Sequence, residues 1–245
     1  SCSIGVGISP DDSANADDLI RKADMAMYQA KKSGKNTYHF FDEKLDKIAL
    51  ESVLLEEQLR EAIAKDEFIL HFQPKFALNN NQVCGVEALI RWQKSPEQLI
   101  YPDKFIPAAE KNGLIRDITY WLIEKACKTM VSWKNTALCD MPISLNISAL
   151  DFADANFTEQ VFSLIEQYKI DSSLLEFELT ESIFFDDLVQ VQQTVAKLKS
   201  RQIKLSIDDF GTGFSSFAYL LDIDIDYLKI DRSFVQNVHE HRKSH

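Results

Sequence analysis

At 245 residues, the chain is long enough for one large domain, or for one domain and part of another. Its 38 acidic and 27 basic residues give a net charge of −11, which argues against a nucleic-acid-binding surface because such a surface is basic. The chain shows no signal peptide and no apolar run near the ~18 residues of a membrane span. The four scattered cysteines, Cys2, Cys84, Cys127 and Cys139, indicate reduced thiols rather than a zinc site or a disulfide framework. The sequence therefore predicts a cytoplasmic protein and leaves open a membrane anchor in a longer parent protein.

The first 43 residues contain two short strand patterns, Ile4–Ile8 and Thr37–Phe41, on either side of an amphipathic helix that is predicted to end at Gly34. One helix and two strands cannot enclose a core, so residues 1–43 are predicted to be part of a larger α+β domain. Residues 43–65 carry apolar side chains at three-, four- and seven-residue intervals, the pattern of a connecting helix. We place the linker at residues 44–53 and a second domain at residues 54–245. For the connecting helix, the alternative is a coiled coil that transmits a signal.

From residue 66 onward, strand-like runs alternate with helical stretches. Six strands are predicted, at Phe68–Gln73, Val83–Trp92, Ile143–Ile147, Leu174–Thr180, Lys204–Ile207 and Tyr227–Ile230, with helices near 118–133, 158–168 and 188–200. This alternation predicts an α/β fold with a parallel sheet, arranged as a barrel or as an open doubly wound sheet. Six strands are two fewer than a (β/α)₈ barrel needs, so a barrel would be incomplete at its C-terminal end.

Polar side chains occupy one face of each strand from the second to the sixth, because neighbouring residues in a strand point to opposite sides. Glu178, for example, lies between Phe177 and Leu179, and Asp208 follows Ile207. An open doubly wound sheet buries both faces under helices and favours apolar residues on both. The sequence therefore favours a barrel with polar residues at the C-terminal ends of its strands, where barrel enzymes build their sites.

These strand ends predict a metal site with four converging oxygen ligands: Glu87, Asn146, Glu178 and Asp208. The set suits Mg²⁺ or Mn²⁺ because it contains neither histidine nor thiolate. Asp209 could hold a second ion, an arrangement that assists phosphoryl displacement, and Lys229 could orient or deprotonate water. Gly211 and Gly213 would let the following loop fold tightly. Single acidic strand ends are common in so acidic a chain, so the prediction depends on five successive strands ending alike.

Several motifs of the second domain resemble the EAL phosphodiesterase domains in order and spacing. They are EALIRW at Glu87–Trp92, HFQPKF before it, and FIPAAEKNGLI, LNIS, ELTES, IDDFGTGFSSFAYL and LKIDRSFV after it. The resemblance implies a TIM-like (β/α)₈ barrel whose first strand is antiparallel. It also implies hydrolysis of cyclic di-GMP to linear pGpG with Mg²⁺ or Mn²⁺ in bacterial second-messenger signalling.

By motif position, the resemblance assigns metal binding to Glu87, Asn146, Glu178, Asp208 and Asp209. Lys229 resembles the lysine beside the catalytic water, and Glu181 resembles the glutamate that anchors the loop after Asp209. The positions of substrate contacts correspond to Gln73, Leu89, Arg91 and Asp231. Glu87 thus has both a catalytic and a metal-binding assignment. A homodimer that forms through the barrel is left open.

Residues 1–43 resemble the C-terminal end of a GGDEF domain through SIGVGISPDD and ADMAMYQAKKSGKN, without the GGDEF signature or the phosphate-binding turn. The EAL family continues past LKIDRSFV to a strand with another metal-binding glutamate and a last strand with a glutamine, which this sequence does not reach. We therefore predict a phosphodiesterase cut short at both ends, with an upstream sensory or GGDEF segment in the parent. The alternative is a catalytically inactive module that binds cyclic di-GMP and regulates a partner.

Overall fold

The computed structural model describes residues 2–32, 36–181, 183, 188–211 and 223–236. The chain divides into two compact units, Ser1–Gln58 and Leu59–His245. The predicted domain limits at residues 43, 53 and 54 all lie within or beside helix α2 (Glu43–Ala64), which runs across the division. The helix end predicted at Gly34 lies outside the described residues.

The first unit is a strand–helix–strand arrangement. Strands β1 (Ile4–Val6) and β2 (Tyr38–Phe40) pair in parallel, and helix α1 (Ala16–Lys32) connects them. Gly5 permits close packing of α1 on β1, because a Cβ atom there would collide with the backbone of Ala23 and Met27. Ala26 and Ala30, on the same helix, are fully buried.

The second unit is built on a seven-stranded sheet. Its strands are β3 (Phe68–Phe76), β4 (Val83–Ser95), β5 (Gln98–Ile100), β6 (Ile143–Asn146), β7 (Leu175–Thr180), β8 (Lys204–Phe210) and β9 (Tyr227–Ile230). The order is β3-β4-β6-β7-β8-β9, with β5 attached to β4. Strand β3 is antiparallel to β4, as the resemblance implied, and the pairs from β4 to β9 along this path are parallel.

Helices lie between several of these strands and after the last one. They are α3 (Pro102–Lys111), α4 (Ile115–Trp133), α5 (Ala149–Phe152), α6 (Phe157–Tyr168), α7 (Leu188–Ser200) and α8 (Arg232–Gln236). The short helix α5 is capped at its N-terminus by Ser148, whose hydroxyl accepts a hydrogen bond from the amide of Leu150. Helix α6 is followed by Lys169, which adopts a left-handed conformation with φ 52° at the C-cap.

The hydrophobic core lies between the helices and one face of the sheet. Ile143, Leu145, Phe177, Leu205 and Ile207 are completely buried in it. Full burial of such a side chain contributes about 1.5–3 kcal/mol, so this face stabilises the helical layer strongly. The opposite face carries the polar residues that alternate with them, as the strand pattern predicted.

The mixed α/β content and the parallel sheet with crossover helices agree with the sequence prediction, whereas β5 and α3 were not predicted. The sheet path ends at β3 and β9, so the sheet is open over the part of the chain that the structure describes. The (β/α)₈ barrel, and its incompleteness at the C-terminal end, remain predictions. Among the described residues, no helix is both long and apolar enough to cross a membrane.

Candidate metal centre

Three carboxylates from three strands converge on the polar face of the sheet. Glu87 comes from β4, Glu178 from β7 and Asp208 from β8, and one oxygen of each lies within 4.8 Å of the others. Their phase explains the convergence, because each alternates with apolar residues that face the helices. The structure thus brings together three of the predicted metal ligands.

The ammonium group of Lys229, from β9, lies among these carboxylates. Its Nζ is 2.5 Å from Glu178 Oε2, 2.9 Å from Asp208 Oδ2 and 3.4 Å from Glu87 Oε2. Burial alone would lower the pKa of Lys229, but Glu178, Asp208 and Glu87 raise it overall. The cluster therefore stabilises positive charge at the point where the three oxygens meet.

Asn146 joins the cluster through its amide. Its Nδ2 donates a hydrogen bond of 2.9 Å to Glu87 Oε1, and the sheet register places Asn146 opposite Glu178. The Asn146 amide therefore binds Oε1 of Glu87, and the other oxygen, Oε2, faces Lys229. Asn146 is in position beside the cluster, as predicted.

A second ammonium lies next to the first along the same face. Lys75 Nζ, from β3, is 3.0 Å from Glu178 Oε1 and 3.1 Å from Glu176 Oε1, and it also donates to Ser144 Oγ. Burial would lower the pKa of Lys75, but Glu178 and Glu176 raise it overall. Sequence reasoning did not single out Lys75. Its position two residues after Gln73 in β3 is the signal, since both share one strand face.

Asp208 and Asp209 are consecutive residues near the C-terminal end of β8, but their backbone conformations differ. Asp209 adopts a left-handed conformation with φ 53°, and its amide donates to Asp208 Oδ1 at 2.9 Å. Partial burial, together with the charges of Asp208 and Asp231, raises the pKa of Asp209. The three-carboxylate cluster contains Asp208 and not its neighbour, so the role of Asp209 with a second ion remains a prediction.

Glu181 connects the end of β7 to the end of β8. Its Oε1 accepts a hydrogen bond of 2.6 Å from the amide of Gly211, the residue at which the loop after Asp209 begins. Gly211 has φ 99°, and a Cβ atom there would lie 2.9 Å from the ring of Phe234. The predicted anchoring role of Glu181 is consistent with this contact, whereas Gly213 lies outside the described residues.

Three of the four predicted substrate contacts lie on β3 and β4, beside the cluster. Gln73 pairs with Glu87 across the antiparallel register, and Leu89 lines a cavity of about 720 Å³ that Asn146 and Glu178 also line. The guanidinium of Arg91 lies 5.0 Å from the centre of the Tyr101 ring. Of these three, Leu89 lies at a space of the size that small-molecule sites have.

The fourth, Asp231, lies at the end of β9 and caps helix α8. Its Oδ1 accepts hydrogen bonds from both the hydroxyl and the amide of Ser233, the latter at 2.9 Å. These two bonds lower the pKa of Asp231. The structure thus gives Asp231 a local structural contact, and its role toward a substrate remains a prediction.

Comparisons with known proteins identify relatives of this chain. The chain is 40% identical over 244 residues to the signaling protein YkoW of Bacillus subtilis, covering 100% of this chain and 30% of that protein. It is 38% identical over 238 residues to the bifunctional diguanylate cyclase/cyclic di-GMP phosphodiesterase MucR of Pseudomonas aeruginosa, covering 97% of this chain and 35% of that protein. The chain thus spans about a third of the length of these relatives.

A solved structure described as the PaMucR phosphodiesterase in complex with c-di-GMP superimposes with a TM-score of 0.73 at 37% identity. The match covers 78% of this chain and 77% of that one. Residues 1–37 match the family described as diguanylate cyclase, GGDEF domain, which identifies the N-terminal segment as a GGDEF fragment. Residues 56–245, well over half of the chain, match the EAL domain model, and the chain therefore belongs to the EAL domain family.

Proposed function

We propose that this chain carries a metal-dependent phosphodiesterase site that hydrolyses cyclic di-GMP to linear pGpG. The observation that carries the proposal is the convergence of Glu87, Glu178 and Asp208 around one ammonium group, next to a cavity of about 720 Å³. The relative MucR is named a bifunctional diguanylate cyclase/cyclic di-GMP phosphodiesterase, and the matched structure is described as a complex with c-di-GMP.

The residues present fit a hard divalent cation. Glu87, Glu178 and Asp208 offer carboxylate oxygens within 4.8 Å of one another, and the Lys229 ammonium marks the point where they stabilise a cation. Oxygen ligands of this kind suit Mg²⁺ or Mn²⁺. These three residues would hold the ion, with Asn146 beside Glu87. A bound cation would stabilise negative charge on a phosphate and make water more acidic.

The side chains around the cluster have separable roles in this proposal. Lys229 keeps its proton at Nζ, because the neighbouring carboxylates raise its pKa. It therefore acts as a hydrogen-bond donor that orients a water molecule or a phosphate oxygen, and the carboxylates are the candidate proton acceptors. Leu89, Ile106 and Pro107 line the adjacent cavity and present apolar surface to the flat faces of a base.

Replacing Glu87 by alanine tests the proposal. Loss of this ligand should reduce Mn²⁺-supported hydrolysis of cyclic di-GMP by about 100-fold or more. Glu97→Ala, which removes an exposed glutamate beyond the end of β4, is the matched control and should leave turnover unchanged. Near-normal activity of Glu87→Ala at limiting Mn²⁺ would contradict the assignment. Tight binding of cyclic di-GMP without turnover by the unmodified protein would favour the inactive regulatory module.

Finer predictions belong to the same proposal. A second ion near Asp209, a homodimer through the barrel, an upstream sensory or GGDEF domain in the parent, and a cytoplasmic location are all parts of it. Metal titration, sedimentation of a polypeptide that contains the chain, and cell fractionation test the ion, the dimer and the location separately.

A further inference from the structure

The two oxygens of Glu178 each have their own ammonium partner. Glu178 Oε1 is 3.0 Å from Lys75 Nζ, and Oε2 is 2.5 Å from Lys229 Nζ. The Glu178 side chain is completely buried, so neither oxygen exchanges these partners for bulk water. Lys229 also contacts Glu87 and Asp208, whereas in the described part of the chain Lys75 contacts only Glu178 among the three carboxylates of the cluster.

Lys75 is held in place from the side away from the cluster. Its Nζ is 3.1 Å from Glu176 Oε1 and donates to Ser144 Oγ, and the same Glu176 oxygen accepts a hydrogen bond of 2.9 Å from Ser206 Oγ. Glu176 and Glu178 lie two residues apart on β7, so one ammonium bridges consecutive inward positions of the strand. Lys75 therefore stays on Glu178 Oε1 even when a cation takes the place of the Lys229 ammonium at Oε2.

We propose that Lys75 restricts Glu178 to binding a metal through one oxygen and thereby biases the site toward Mg²⁺ and Mn²⁺ and against Ca²⁺. Mg²⁺ requires near-octahedral coordination, whereas Ca²⁺ takes six to eight oxygens and often uses both oxygens of a carboxylate. An ion pair on Oε1 removes one of those oxygens from the metal. The inference rests on the proposed function, since it concerns the same metal centre.

The coordination effect can be separated from the effect of charge. Removing the Lys75 ammonium makes the site more negative, which strengthens binding of every divalent cation. Mn²⁺ and Ca²⁺ carry the same charge, so this contribution largely cancels in the ratio of their dissociation constants. A change in that ratio therefore reports the number of oxygens that Glu178 makes available.

The test is calorimetric titration of Mn²⁺ and of Ca²⁺ into a polypeptide that contains the whole chain. In Lys75→Met, the Ca²⁺/Mn²⁺ ratio of dissociation constants should fall by about tenfold, within the range seen when outer partners of metal ligands are changed. Lys204→Met is the matched control, because Lys204 donates to the Tyr227 hydroxyl at 3.1 Å on the same sheet face. It removes the same charge and should leave the ratio unchanged, and Lys75→Arg should retain most of the preference.

An unchanged ratio in Lys75→Met, or an equal shift in Lys204→Met, would overturn the inference. If Lys75→Met does not fold, crystal structures of the unmodified protein with Mn²⁺ decide the question. Lys75 Nζ should then remain on Glu178 Oε1 while one oxygen contacts the ion, and a two-oxygen contact would overturn the proposal. If the unmodified protein hydrolyses cyclic di-GMP and binds Mn²⁺ while Lys75→Met leaves the ratio of dissociation constants unchanged, only this inference is refuted. Absence of Mn²⁺ binding by the unmodified protein would overturn the proposed function and this inference together.

Discussion

Replacing Lys229 by methionine removes the ammonium that holds three carboxylates together while keeping an unbranched side chain of similar length. Glu178, Asp208 and Glu87 would then face one another with only Lys75 still paired to Glu178. Methionine fills the space but offers no charge, so the change tests electrostatics rather than packing. We expect the variant to be less stable than the parent in the absence of divalent cations.

The size of this loss follows from the burial of the four side chains. Glu178 is completely buried, whereas Glu87, Asp208 and Lys229 retain 18%, 22% and 28% exposure. Removing one partner of a fully buried ion pair costs ~3–5 kcal/mol, and partial solvent access reduces that cost. A loss of about 2–3 kcal/mol is therefore expected, which lowers the unfolding midpoint by about 5–10 °C for a domain of this size.

Thermal unfolding in EDTA and in Mn²⁺ measures this effect. The pKa of Lys229 is raised in the folded protein, so its contribution is fully present below the ordinary lysine pKa of ~10.4 and is lost only as the pH rises further. Measurement near neutral pH therefore captures all of it. Mn²⁺ at about 100 times its dissociation constant adds ~2.7 kcal/mol and should restore the midpoint. An unchanged midpoint in EDTA, or a loss as large in Lys204→Met, would refute the electrostatic reasoning.

Three other changes test separate features of the chain. Ca²⁺ should bind the carboxylate cluster without supporting turnover, because it acidifies water poorly, and hydrolysis at the Mg²⁺ rate would contradict this. Gly211→Ala should cost about 1–3 kcal/mol, because φ is 99° and the added carbon would lie 2.9 Å from the Phe234 ring. Gly113→Ala, with φ 73° and open space around it, should cost less in the same denaturant titration, and an equal cost would exclude crowding as the cause. Burial raises the pKa of Cys127 to about 12, so iodoacetamide should modify the three exposed cysteines and leave Cys127 unmodified until the protein is denatured, as mass spectrometry would show.

The strands of the second unit could be predicted because their alternation is a local property. The strand predicted at Tyr227–Ile230 has the observed bounds. The strand predicted at Phe68–Gln73 begins where predicted and continues three residues further, to Phe76. Strand β5 has three residues, too few to show a period, and helix α3 contains Pro107, which weakens a helical pattern. Closure of a barrel depends on pairing between strands far apart in the chain, which no local pattern encodes.

The cluster could be predicted for a similar reason, and its surroundings could not. The strand phase of Glu178, Asp208 and Lys229 directs all three to one face, so their convergence follows from the order of the strands. Lys75 lies in the antiparallel strand, where the register with β4 decides which residues it meets. At Asp209 the backbone turns with φ 53°, so alternation no longer predicts where its side chain points.

The charge of the polar face explains why it suits a divalent cation. Four carboxylates and two ammonium groups form ion pairs there and together carry a net charge of −2. They belong to Glu87, Glu176, Glu178, Asp208, Lys75 and Lys229. One divalent ion neutralises this remainder, whereas a second ion needs further negative charge. In the proposed two-ion site, Asp209 and a phosphate of the substrate would supply it, and occupancy by two ions would then be coupled to substrate binding. The two lysines thus offset half of the carboxylate charge, and the net charge of −2 that remains matches one divalent ion.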